Sequence, residues 1–146
     1  MEMIKEHLEG WKKLGSENFM TVQLEKGTGY TPDKDKVGLV YKHQFLLPSI
    51  KQKECYKNSL LAALTIPELE YWEGFYVTEG IPLPLSHAFN VEEGKVVDFT
   101  AIKFNINVEE YWGIQVPREV LEEYVETEQW LTALQFYLQK ISKKSL

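Results

Sequence analysis

The chain is poor in the residues that make most chemistry easy to recognise. It has one cysteine, Cys55, and three histidines among its 146 residues. A single thiol excludes an internal disulfide and any cysteine-rich zinc site. No Gly-x-Ser-x-Gly, P-loop or Gly-x-Gly-x-x-Gly pattern occurs, and Ser-x-x-Lys is absent with its companion motifs. No apolar run approaches the roughly 18 residues of a membrane span. The opening MEMIKEHLEGWKK is charged and has no apolar stretch, so it does not read as a signal peptide. Positive charge is in deficit: 16 Lys and Arg against 22 Asp and Glu give a net charge of −6. That balance argues against a nucleic-acid backbone as partner. Lys140, Lys143 and Lys144 read as a solvated helix end that complements the helix dipole. The expected setting is a reducing cytoplasm, bacterial, or that of the host if the gene is phage-encoded, with neither membrane nor cofactor involved.

What is present is a core. The chain is 44% hydrophobic and 13% aromatic, enough for one domain spanning 1–146. Ile4, Leu8, Trp11 and Leu14 recur at helical spacing and predict an amphipathic helix that stops near Gly15. Phe19 to Leu24 reads as a short strand. Lys26 to Lys36 is rich in Gly, Asp, Lys and Pro and reads as a surface loop. Val37 to Leu47 reads as a buried extended segment ending at Pro48. A short apolar helix follows, starting at Cys55 and stopping before Pro67. Strands are expected at Tyr71 to Thr78, Leu85 to Glu92, Lys95 to Ala101 and Tyr111 to Val116. From Pro117 onward the pattern is helical, with a bend or split near Glu126 to Glu128.

Within this frame Cys55, His87 and Asp98 stand in an order that matters. Glu93-Gly94 is a tight hairpin signal. A two-residue loop there pairs Glu92 with Lys95 and Val91 with Val96. Parity then puts Leu85, His87, Phe89 and Val91 on one face with Val96, Asp98 and Thr100. His87 and Asp98 become diagonal neighbours within hydrogen-bond reach. That face is otherwise apolar and should be the core face, so the two polar groups should be paired. A helix packed on it could bring Cys55 to the imidazole. A thiolate at a helix start is favoured by the dipole and by an adjacent imidazolium. Thiol, imidazole and carboxylate are the parts of nucleophilic cysteine catalysis. The competing reading is a small buried cysteine beside a satisfied polar pair.

Other polar residues carry less. His7 is expected on an exposed helix face. His43 has no spaced partner, so no metal site is expected. Glu122, Glu123, Glu126 and Glu128 read as a solvated face. Asn58 and Ser59 share a helix face with Cys55. Glu73 either lines a pocket beside the histidine strand or faces solvent. An oxyanion hole could use the backbone N–H of Cys55 or Tyr56, with the Gln52 side chain as a second donor.

The ordered set resembles the papain-like cysteine superfamily in its transglutaminase-like branch. The residues that carry it are Cys55 at a helix start, His87-Ala88-Phe89 on one strand and Asp98-Phe99-Thr100 on the next. Together with Cys55-Tyr56-Lys57-Asn58-Ser59 and Tyr71-Trp72-Glu73-Gly74, the block is also similar to a group of small bacterial and phage proteins. The resemblance covers residues 50–116. It implies an α+β fold, with an antiparallel sheet packed against the cysteine-bearing helix and C-terminal helices covering the remaining core. It also implies thioester chemistry on an amide or isopeptide of a protein or peptide, with Cys55 as nucleophile, His87 as base then acid, and Asp98 as orienter. The alternative is a catalytically inactive protein-binding module on the same fold.

Overall fold

The computed structural model describes residues 2–13, 23–33, 36–127 and 130–144. A five-stranded antiparallel sheet organises them, in the order β1-β5-β2-β3-β4. The strands are β1 (Thr28–Tyr30), β2 (Glu70–Thr78), β3 (Leu85–Glu92), β4 (Lys95–Val97) and β5 (Val108–Val116). The helices are α1 (Glu2–Lys13), α2 (Lys36–Tyr41), α3 (Cys55–Thr65), α4 (Phe99–Lys103), α5 (Arg118–Glu126) and α6 (Ala133–Lys144), with a 3₁₀ stretch at Gln44–Ser49. No helix among the described residues is long and apolar enough to cross a membrane.

Strand alternation sorts the sheet into two faces. Tyr71, Phe75, Val77, Ala88, Trp112 and Val116 face one way and pack on α1, α5 and α6 through Ile4, Leu8, Val120, Leu121, Leu134 and Leu138. Trp72, Phe89, Val91 and Tyr111 face the other way and pack with Val96, Val108 and Ala101. A third cluster joins α2, the 3₁₀ stretch, Val97 and Phe99. Helix α3 is wedged between clusters. Ala63 packs into the first and Ala62 into the third. Leu61 and Leu64 are exposed, and the alanines seat this helix together with the partly buried Tyr56 and Leu60. Arg118 anchors the segment after α3 by donating to the carbonyls of Pro67 and Leu69 at 3.2 and 3.1 Å.

Several expectations are corrected. Val37 to Leu47 is helical, not extended. Val40, His43 and Leu46 are buried, a period of three that a strand cannot produce. Thr28–Tyr30, expected in a loop, pairs with Gly113–Tyr111 at the sheet edge. The strand expected at Phe19 to Leu24 lies largely outside the described residues, and Leu24 belongs to a helical turn at 23–25. The stop at Gly15 and the acidic Glu128 also lie outside them. Strand β5 begins at Val108, not Tyr111, and is central, paired with both β1 and β2. The C-terminal helical region does split. Thr132 and Gln135 form a reciprocal capping box at the start of α6, with bonds of 3.2 and 2.9 Å.

Two glycines let the centre of the sheet close. Gly74 stands opposite both Gly113 on β5 and His87 on β3. A methyl at Gly74 would collide with the Trp112 carbonyl oxygen and lie 2.6 Å from Gly113 Cα. Those are backbone atoms and cannot swing away. Gly74→Ala is therefore expected to lose about 3 kcal/mol or more of stability. Gly80→Ala, with open space around it but φ of +84°, should lose only about 1 kcal/mol. Urea unfolding of both variants checks this ordering.

Candidate active site

Cys55, His87 and Asp98 come together. Strand β4 pairs only with Asn90–Glu92 of β3, so His87 lies beyond the reach of that ladder. The start of α3 lies alongside. The Cys55 thiol lies near enough to the His87 imidazole to help raise its pKa, and Tyr56 and Ser86 line one cleft. The sequence suggested a helix packed over the His87 face. No α3 residue joins the cluster on that face, which is filled by aromatic rings.

The hairpin register is Glu92 with Lys95, Val91 with Val96 and Asn90 with Val97. Glu93 and Gly94 have φ of +51° and +77°, as a type I′ turn requires. The ladder then stops. Asp98, expected inside a strand, is the N-cap of α4, and its Oδ1 accepts from the Ala101 N–H at 3.2 Å. Aspartate suits a helix N-cap because its carboxylate takes an otherwise orphaned N–H. Its other oxygen, Oδ2, accepts from His87 Nε2 at 2.7 Å and from the Tyr111 hydroxyl at 2.9 Å. With Nε2 engaged, Nδ1 is the ring nitrogen left for Cys55.

Burial differs across the three groups. His87 is 1% and Asp98 5% exposed, whereas Cys55 is partly open. Burial disfavours the imidazolium, but the Asp98 charge, its hydrogen bond and the Cys55 thiol outweigh it and lift the His87 pKa to about 9. Burial likewise opposes the Asp98 carboxylate. The His87 charge, with the donors His87, Ala101 and Tyr111, holds its pKa below the usual value. Burial and the Asp98 charge push Tyr111 well up, which keeps its hydroxyl protonated as a donor.

The remaining candidates separate into distinct positions. Asn58 is buried and structural. Its side chain accepts from Lys51 N–H at 3.0 Å and donates to Lys51 O at 2.8 Å and Thr100 Oγ1 at 2.9 Å. It thereby ties the loop before Cys55 to α4. Gln52 is exposed in the turn of that loop. Tyr56 lines a cleft of about 110 Å³ with Ser86, Phe75, Thr132, Gln135 and Glu73. Glu73 is not solvent-facing; it is 3% exposed. It accepts from the Tyr71 hydroxyl at 2.6 Å and from the Leu134 N–H at 2.9 Å. Burial raises its pKa, against the donors Tyr71, Leu134, Thr132 and Ala133. Glu73 is thus committed to capping α6. His43 is buried against Glu92 at 3.0 Å, and Lys42 meets the same carboxylate at 2.8 Å. His7 is half-buried, edge-on to Phe75. Among the described residues no three His, Cys, Asp or Glu side chains could hold a metal ion.

Two residues of the site were not anticipated, Tyr76 and Tyr111. They stand opposite each other on β2 and β5. Their signal was parity. Tyr76 falls on the same face as Gly74 and therefore as His87, but only once β2 is known to pair with both β3 and β5.

No protein-family model matches the chain, and neither a curated protein nor a solved structure matches it significantly.

The site has a pH signature in stability. His87 has a raised pKa in the folded protein, so its stabilisation is complete below about 6.5 and is lost as pH rises through about 9. Asp98 is depressed, so its contribution is present above the ordinary carboxylate value and is lost as pH falls through its folded value. Tyr111→Phe removes one donor from a buried charge. It should cost about 2 kcal/mol near neutrality and move acid unfolding to higher pH. Thermal melts of both proteins from pH 2 to 10 read both limbs.

Proposed function

We propose that this protein is a cysteine-dependent amide or isopeptide hydrolase, or an acyl transferase, working through a thioester at Cys55. One observation carries the reading. A partly exposed cysteine at a helix start lies beside a buried imidazole, and that imidazole is held by a buried carboxylate that accepts from three donors. The order of a cysteine helix, a histidine strand and then an aspartate supports a papain-like, transglutaminase-like core.

The chemistry follows from the contacts. Proton transfer from Sγ to His87 gives a thiolate–imidazolium pair, stabilised by Asp98 on the far nitrogen. The thiolate attacks the substrate carbonyl carbon, and the carbonyl electron pair moves to oxygen. The first-turn N–H of Cys55 is a donor for that oxyanion. The N-cap Glu54 makes no side-chain capping bond that would compete for it. Collapse expels the amine, which takes its proton from His87, and leaves a thioester. Water or a second amine then attacks, giving a proton to His87 and the acyl group to the product, and the thiol is regenerated. A protein or peptide is the fitting substrate class, and a reducing cytoplasm is the setting that keeps such a thiol free.

A second reading, a protein-binding module without turnover, draws on a different feature. Ile81, Leu83 and Leu85 leave an exposed apolar rim on the β2–β3 connection, next to Tyr76. Such a rim suits a peptide contact whether or not bond cleavage follows.

The two readings part experimentally. Near pH 7 iodoacetamide should label Cys55 at least about tenfold faster than a free thiol of ordinary pKa, and His87→Ala should abolish the advantage. Labelling that requires denaturant overturns the catalytic reading. Cys55→Ser should melt near wild type yet lose turnover, because its hydroxyl is far less acidic. Asp98→Asn should lose turnover sharply by favouring the wrong tautomer. Turnover in wild type should decline as pH passes about 9, where the His87 imidazolium is lost.

A further inference from the structure

The closest aromatic contact recorded for the site is between Tyr76 and His87. Their ring centroids lie 3.8 Å apart and their planes differ by 5°. Tyr76 sits on β2 two residues from Gly74, the residue directly opposite His87. Because Gly74 has no side chain, the imidazole has room to lie flat against the neighbouring phenol. Tyr76 keeps some exposure while the ring it covers is 1% exposed. Other rings stand farther off, with Phe89 and Tyr111 both at 6.2 Å from His87.

We propose that Tyr76 is a positioning residue, holding the imidazole in the plane that joins Cys55 to Asp98 and favouring its protonated form through its π face. This inference rests on the thioester reading for its purpose, though not for its geometry. An aromatic face carries negative electrostatic potential and attracts a cation more than a neutral ring. The charged and titratable groups that meet His87 come from four elements. Asp98 lies at the β4–α4 junction, Cys55 on α3, Tyr76 on β2 and Tyr111 on β5. Asp98 supplies the charge and one anchoring point. Tyr76 fixes the remaining freedom, rotation of the ring out of plane, and takes the place of water on the face it covers. Burial, with the charges of Asp98 and Cys55, raises its own pKa, so it remains a neutral phenol where the imidazolium persists.

The test compares Tyr76→Phe, which keeps the π face, with Tyr76→Leu, which keeps apolar cover without it. His87 is followed by NMR titration in a Cys55→Ser background, and Cys55 alkylation by iodoacetamide is followed from pH 5 to 10 with the thiol intact. Tyr76→Phe should titrate within about 0.3 units of the parent. Tyr76→Leu should titrate lower by about half to one unit. At pH 6 alkylation should slow about three- to tenfold in Tyr76→Leu and remain unchanged in Tyr76→Phe. If Tyr76→Leu fails to fold, Tyr76→Met fills the same space with an adaptable side chain and replaces it. Equal His87 titration in the Leu or Met variant and the parent overturns the proposal, since a purely structural cover leaves that value in place. Sluggish Cys55 labelling in wild type, with the titration difference intact, overturns the thioester reading alone.

Discussion

The carboxylate of Asp98 is the constraint on which the rest of the site depends. It ends β4, starts α4, receives His87 and receives Tyr111, all with two oxygen atoms. A carboxylate this deeply buried is tolerated only when its lone pairs are occupied and an opposite charge lies near. The three donors come from three different elements: a strand, a helix start and the central strand β5. Their convergence fixes where β3, α4 and β5 stand relative to one another. Loosening any of them would leave a charge in apolar surroundings with a missing partner, which costs more than the bond itself.

A second constraint acts on the other side of His87. The helix that carries Cys55 must come close to β3 without lying over the histidine face. Adjacent alanines achieve this by presenting almost no bulk in two directions at once, into two separate clusters. Asn90 reinforces the approach, donating to the carbonyls of Ser59 on α3 and Glu70 on β2 at 2.9 and 3.1 Å. Asn58 then fixes the loop that leads into Cys55. Helix α3 is thereby held at both the strand and the loop, which keeps Cys55 near the imidazole.

The hairpin was legible because it depends on parity and a two-residue turn, both local; the contact between His87 and Asp98 was expected from the same parity but forms by another route, since the ladder stops at Val97 and Asp98 caps α4. The short apolar helix beginning at Cys55 was legible for the same reason. The end of β4 was harder to read. Lys95 to Ala101 is rich in residues that favour strands, and only the N-cap preference of Asp98, which depends on α4 forming next, overrides that pattern. The segment 37–47 misled because it is largely apolar, although the spacing of Val40, His43 and Leu46 is helical. Glu73 read equally well as edge or pocket because its partner, the start of α6, lies 61 positions away in sequence. Tyr76 and Tyr111 needed the pairing of β2 with β5, a long-range match that no local pattern encodes.

These placements divide the site into a dry half and a wet half. The dry half is the sheet side, where Asp98, Tyr111, Tyr76 and Phe89 surround the imidazole and leave it 1% exposed. In such surroundings Coulomb attraction is screened less than in water, so the Asp98 charge acts on His87 more strongly than it would at the surface. The wet half is the start of α3, where the thiol is partly open. A sheltered imidazole and a partly exposed cysteine are opposite requirements, and they are met by different elements. Here the sheet and α4 meet the first and the helix start meets the second. The side of the imidazole away from α3 is occupied by aromatic rings and by the Asp98 contacts.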